Sequence, residues 1–393
     1  MRFFSGPIVT CMTMDVDRGN LAEWYYTTNS QTGVITLFNY KGTSPNIIVP
    51  KAKGKAVLNS FGLSNKNSIT SIDYQHVPLR DLGRTEGGVS LFYNLVTVKN
   101  LYNGQKNMGE FFRNCRALNC PITIPSSATN VNHTFNNCVS LNSPVKFSNK
   151  ISVMDSTFNN CRTFNQPINI PNSVTILSAT FRNCVALNQP VPIPGSVISM
   201  YEAFMNCSSF NQPIDIPSSV TNMDYTFYNC TSFNKSINIP SLMTSLNYTF
   251  HNCYKFNQSI TVSTPSSTYY TRNTFQNCYA LNKPMNINTP RLSSTFDNCN
   301  SLNSPITLGT QVVSIDYAFS GCTNFGSTIT IYSTEITVAN GRIPSTKPKQ
   351  VYIYFQYANG VYTKTYNILV TNSSKKWDGV NNTTVIDMGK APW

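Results

Sequence analysis

Apolar residues return along this chain on a fixed beat. Ten cysteines set the register, nine of them as Asn-Cys pairs from Asn114-Cys115 to Asn298-Cys299 and the tenth as Gly321-Cys322. The spacing is 23 residues, apart from one gap of 25 followed at once by one of 21. Phenylalanine stands three positions before the cysteine in every copy, among them Phe158, Phe181, Phe204 and Phe227 ahead of Cys161, Cys184, Cys207 and Cys230. Leu or Phe follows three positions after it, and asparagine comes next in nine of the ten copies. A period in this range marks a solenoid, in which one copy cannot bury its own apolar face and stacking makes the core continuous.

Within a copy the pattern predicts the elements. Apolar residues at seven and nine positions after the cysteine, as at Ile168 and Ile170, have period two and predict a short strand buried on one face. Proline at Pro121, Pro144, Pro167, Pro190 and Pro213 precedes that pair, and proline is tolerated at a strand's first residue. Apolar residues ten, seven and three positions before the cysteine predict a helical, 3₁₀ or irregular return. The asparagine column from Asn119 to Asn303 is suited to bonding neighbouring backbone at a turn. The phenylalanines and cysteines are expected to form a buried structural ladder.

The ends differ. Residues 1–33 predict a cap or docking arm, 34–108 degenerate leading coils, 109–332 the regular repeats, and 333–393 a C-terminal β cap. In the last region Lys349–Val370 predicts a hairpin turning at Asn359-Gly360.

Charge adds little direction. Only 11% of the 393 residues are charged, and the net +13 divides as +4, +5 and +4 over residues 1–100, 101–332 and 333–393. No basic patch or stripe marks a nucleic-acid partner. Equivalent cysteines in a parallel stack lie about 4.8 Å apart and point the same way, which suits buried free thiols better than disulfides. No C-x2-C or H-x3-H spacing suggests zinc. No apolar run of eighteen residues predicts a membrane span. The N-terminus has no apolar stretch suited to a signal peptide, so, if complete, the chain is expected not to be exported by the common route.

"SVTNMDYTFYNCTSFN" and "VVSIDYAFSGCTNF" resemble BspA-like leucine-rich repeats, and "FNQPI" (Phe164–Ile168, Phe210–Ile214) resembles the related repeats of mycoplasma-type surface lipoproteins. "GVITLFNYKGTSPNIIVPKAKGKAV" (Gly33–Val57) resembles the opening coil of such arrays. The resemblance spans roughly residues 34–332. It implies a repeat solenoid of leucine-rich-repeat-like coils, right-handed, with a parallel β-sheet on one face. It also implies the company of bacterial surface adhesins and phage proteins.

Catalytic chemistry finds no foothold. His251 lies two residues before Cys253, but the other copies keep the cysteine without a histidine there. Asp15–Asn20 starts like a calcium loop, yet Tyr26 stands where its closing glutamate belongs. No phosphate loop, nucleophile elbow or dinucleotide fingerprint occurs. No enzyme, cofactor or metal is therefore expected. The surface is more suggestive. The outward strand position runs through Asn169, Asp215 and Asn238, and the position five after the cysteine runs through Gln166, Gln189, Gln212 and Gln258. Stacked, these make amide-rich columns roughly 45–50 Å long. Tyr269 and Tyr270 in the long gap complete the candidate contact surface. The expected function is a rigid virion component (tail, fibre or capsid decoration) for host-surface contact, with a bacterial cell-surface adhesin as the alternative. Expected partners are virion or surface proteins through a terminal domain, a host-surface glycan or protein, and a second copy of the chain.

Overall fold

A computed structural model describes residues 18–53, 56–60, 66–78, 89, 91–263, 271–333, 335–337, 339–341, 343–345, 347–355, 365, 369, 377 and 380–390. A 3₁₀ turn (Leu21–Glu23), capped by the Asn20 side chain, leads into β1 (Trp24–Thr28). This pairs antiparallel with β2 (Ile35–Tyr40). From there on every described pairing is parallel. β2 pairs with β4 (Ala56–Ser60), and β3 (Asn46–Ile48), β5 (Ser71–Asp73) and β6 (Thr97–Lys99) form a second small sheet. β7 (Ile122–Thr123) pairs with β8 (Val145–Lys146). A six-stranded sheet closes the array: β9 (Ile260–Ser263), β10 (Met285–Asn288), β11 (Ile306–Leu308), β12 (Thr328–Ile331), β13 (Lys349–Phe355) and β14 (Thr383–Lys390).

The stack is a solenoid, and its core is one continuous cluster from Trp24 to Trp377. The phenylalanines form an unbroken ring stack from Phe112 to Phe319, with centroids 5.3–5.7 Å apart. Phe111 closes one end edge-on at 4.8 Å, and Trp377 closes the other edge-on at 6.2 Å. Offset stacking and edge contacts both suit the ring quadrupole, so each ring gains beyond the area it buries.

The sheet does not run the whole length. Between β8 and β9 the residues expected to form strands keep their alternation, with Ile168, Val191, Ile214 and Ile237 buried and Asn169, Pro192, Asp215 and Asn238 exposed, but no strand pairing joins them. Prolines crowd these segments. Pro167 and Pro171, and Pro213 and Pro217, bracket two of these segments, and Pro190, Pro192 and Pro194 occupy a third at alternate positions. A proline lacks the N–H through which a strand donates to a ladder, although β7 forms between Pro121 and Pro125, so proline alone does not decide the pairing. The coils at Cys253, Cys278, Cys299 and Cys322 have Ser263, Asn288, Gly309 and Tyr332 where the others carry the second proline or Ser148, and there the sheet forms.

The return before each cysteine takes the irregular option. It is a run of tight turns, with two left-handed residues per coil: the one directly before the cysteine (Asn137, Asn160, Asn206; φ 66°, 63°, 63°) and the one five before it (His133, Glu202, Tyr225; φ 55°, 54°, 57°). Left-handed residues at this interval forbid a helix. Asparagine tolerates that conformation better than most residues, and in the tenth coil Gly321 adopts it at φ 70°.

Of the C-terminal hairpin expected over residues 349–370, the structure describes the first arm, β13, as an extension of the sheet. β13 is paired in parallel on both edges, with β12 and with β14, so neither edge is open to a hairpin partner. Asn359-Gly360 lies outside the described residues.

Candidate binding surface

The buried side chains are committed to stacking. From Cys138 on, each cysteine donates its thiol proton to the carbonyl of a phenylalanine in the preceding coil, as Cys161 does to Phe135 at 3.0 Å, Cys184 to Phe158 at 3.2 Å, Cys207 to Phe181 at 3.0 Å and Cys230 to Phe204 at 3.1 Å; Cys115 donates to Val89. The side chain therefore does two things, filling space as a small hydrophobe and satisfying a second lone pair on a buried carbonyl. Burial pushes these thiols well above their ordinary range, which keeps them protonated as donors. The eleven described cysteines are free and buried. No cluster of three or more metal-ligating side chains occurs among the described residues.

Two asparagine columns run alongside. The left-handed asparagines pass an amide bond from coil to coil: Asn206 to Asn183 at 2.7 Å, Asn229 to Asn206 at 2.8 Å and Asn252 to Asn229 at 2.6 Å. Asn160 donates to Asn137, whereas Asn183 turns to Asn159 at 3.4 Å. In the second column, Asn119 to Asn303, each side-chain oxygen accepts the backbone N–H of the equivalent residue one coil on, at 2.7–2.9 Å. A third column goes beyond the sequence reading. Thr134, Thr157, Thr180, Thr226 and Thr249 are buried, and each donates its hydroxyl to a carbonyl of the preceding coil. Its signal is Thr directly before Phe in most copies.

The candidate surface residues divide. Asn169, Asp215 and Asn238 stand exposed in one file, which continues into Thr261 and Asn286. The glutamines are half-buried, and three of them serve the second asparagine column: Gln166 donates to Asn142 (3.3 Å), Gln212 to Asn188 (3.2 Å) and Gln258 to Asn234 (2.9 Å). Gln189 is half-buried in the same file. Tyr269 and Tyr270 lie outside the described residues. A separate aromatic file, also beyond the sequence reading, crosses the turn face. Tyr225 stacks on Tyr248 at 4.8 Å, Tyr201 meets Tyr225 edge-on at 6.1 Å, and Tyr228 lies flat on His251 at 4.7 Å. Burial, helped by Glu202 beside Tyr201 and Tyr248 beside Tyr225, raises the phenols of Tyr201 and Tyr225. Burial lowers His251, against a hydrogen bond with Gln276 that raises it. The signal is tyrosine five or six positions before the cysteine in successive copies.

Coils of this length, stacked in parallel around phenylalanine, cysteine and asparagine columns, define a leucine-rich-repeat solenoid. The chain belongs to the family described as "Mycoplasma protein of unknown function, DUF285", which matches residues 106–215, 152–241 and 198–307. Residues 292–353 match the BspA type leucine rich repeat region. Among solved structures, a leucine-rich repeat protein from Bacteroides ovatus is similar at 16% identity and a TM-score of 0.51, over 93% of this chain and 98% of its own. A leucine rich cell surface protein from Faecalibacterium prausnitzii is 18% identical, with a TM-score of 0.39 over 79% of this chain and 93% of its own. At such identities the first likeness speaks for fold alone. No curated protein matches. No helix among the described residues is long and apolar enough to cross a membrane.

Proposed function

We propose that this protein is a non-enzymatic binding scaffold displayed on an exterior surface, whose outward file meets a host-surface glycan or protein. One observation carries the reading. Asn169, Pro192, Asp215 and Asn238 are exposed at a constant interval of 23 residues on a rigid stack, while the cysteines and phenylalanines behind them are occupied in holding that stack. Repeat solenoids use extended surfaces of this kind for contact. The mount is a virion in the first reading, with the chain as a fibre, tail or decoration component. It is a bacterial cell in the second, with the chain as an adhesin.

Immunogold labelling of purified particles and of intact cells from the same culture tests this. Gold on particles supports the first reading and gold on cells the second. Label found only after lysis, in soluble cell contents, contradicts exterior display.

A further inference from the structure

We propose that the outward face of the C-terminal sheet holds a binding site for a neutral pyranose ring, walled by Tyr332 and floored at Gly309. This rests on the binding reading above and names the ligand class and the place.

The site follows from the lost prolines. In the coils at Cys253, Cys278, Cys299 and Cys322, the residue ten positions after the cysteine is Ser263, Asn288, Gly309 or Tyr332. Without proline the chain stays extended to that residue, and alternation turns it outward. The sheet face thus carries a second row beside Thr261, Asn286 and Thr307. In that second row Gly309 supplies no side chain. A Cβ built there would lie 2.2 Å from Asn288 Oδ1, so Asn288 occupies the space a side chain would need. Beside that contact lies a hollow of about 310 Å³ lined by Asn288, Gly309 and Tyr332, with Asn286 and Thr307 alongside.

The chemistry selects the ligand. None of the side chains lining the hollow is a carboxylate, ammonium, guanidinium or imidazole, so nothing there would compensate a buried ligand charge. Tyr332 provides an aromatic wall, and its backbone is fixed by a hydrogen bond from its N–H to the Leu308 carbonyl at 2.9 Å. Asn288 Oδ1 accepts the Gln311 N–H at 3.0 Å, which orients the amide and leaves Nδ2 as its donor. Asn286 and the threonine hydroxyls add donors and acceptors. An apolar wall with a few fixed polar groups is the common form of a small-molecule site, and the volume is at the small end for one. A sugar ring offers what this arrangement takes: an apolar C–H face for the tyrosine and hydroxyls for the amides.

The test is saturation-transfer NMR on the full chain. The probes are methyl glycosides of glucose, galactose, mannose and N-acetylglucosamine, with methyl sialoside and glucose 6-sulfate as charged probes. At least one neutral glycoside should receive saturation, and both charged probes should receive none. Tyr332→Ala and Asn286→Leu should each weaken binding roughly tenfold or more, as expected for anchor residues. Lys255→Ala, at an exposed position outside the hollow's lining, should leave it unchanged, with thermal unfolding measured for every variant. Saturation that survives both weakening variants overturns the site, and no saturation from any neutral glycoside overturns the ligand class. If the labelled protein still binds its target surface in either case, the broader binding reading stands without the sugar site.

Discussion

The coils from Cys161 to Cys230 and those from Cys253 onward share a core but not a backbone. In the later coils a six-stranded parallel sheet joins turn to turn. In the earlier ones no strand ladder joins the coils, and the turns before the cysteine, which bond coil to coil in both regions, carry the backbone link without it. There the backbone N–H groups of Met200, Glu202, Phe204 and Asn206 donate to Asn222, Asp224, Thr226 and Tyr228 of the next coil at 2.7–3.0 Å. The coil before it repeats the set from Leu177, Ala179, Phe181 and Asn183. The comparison teaches that a solenoid can do without sheet where stacked turns and side-chain columns keep the coils in register; the same turn bonds run on beside the sheet, from Phe275 to Thr295 and from Phe296 to Ala318. Left-handed backbone at Glu202 or Tyr225, which costs roughly 1–2 kcal/mol per residue for a side chain of this kind, is held by such bonds between coils.

The sharpest way to probe what the two regions share is to cut the ring stack. Phe204→Ala and Phe296→Ala should each lose about 3–5 kcal/mol in urea unfolding, because both leave a ring-sized hole between stacked neighbours. A much smaller loss at either site would mean that the two regions do not share one spine.

Next comes an exchange of prolines. Thr307→Pro places in the sheet what Pro192 already is in the earlier coils, and removes an N–H from a strand paired on both edges. It should cost about 3 kcal/mol or more. The reverse change, Pro192→Thr, should alter stability by less than about 1 kcal/mol, since no ladder bond depends on that position. Thermal melts of the pair measure the difference.

A smaller effect belongs to the amide column. Asn206→Ala removes two side-chain bonds and puts a poorer residue at φ 63°, at a cost of about 2 kcal/mol. Asn206→Gly loses the bonds but keeps the turn, so it should cost less, and chevron analysis of both variants would rank them.

The smallest effect is in pH. Burial holds the His251 imidazole below its ordinary value, so the unfolded chain binds a proton before the folded one does. Stability should therefore fall as pH drops below about 6.5. Asp297, raised chiefly by burial, has the opposite sign, so His251→Gln is the variant that isolates the imidazole. His251→Gln should flatten unfolding midpoints between roughly pH 7 and pH 5.5.

Much of this is legible in the sequence because a repeat prints each buried column ten times. Phe158, Cys161 and Asn165 need no structure to be assigned to stacked columns. The loss of the sheet is harder to read, because Ile168 and Ile170 alternate as strand residues do whether or not their N–H groups find partners. Proline at the strand start reads as a boundary, and proline at both ends is compatible with a ladder at β7 and with none at Ile168 or Ile214, so the residues alone do not announce the loss. The left-handed position five before the cysteine is hidden because His133, Ser156, Ala179, Glu202 and Tyr225 share no chemistry; backbone bonding fixes it, not residue type. Of the candidate surface, the outward file at Asn169, Asp215 and Asn238 is readable from period two. The half-buried role of Gln166 and Gln212 is not, because it depends on where Asn142 and Asn188 point.

Amide hydrogen exchange, followed by NMR, tests most directly that the earlier coils are joined by stacked turns without a sheet. The N–H groups of Ile214 and Ile216, on either side of Asp215 in the earlier coils, should exchange as freely as a surface loop. Those of Phe204 and Asn206 should be protected as strongly as Asn286 and Ile287 in the sheet. Strong protection at Ile214 and Ile216, or free exchange at Phe204 and Asn206, would contradict it.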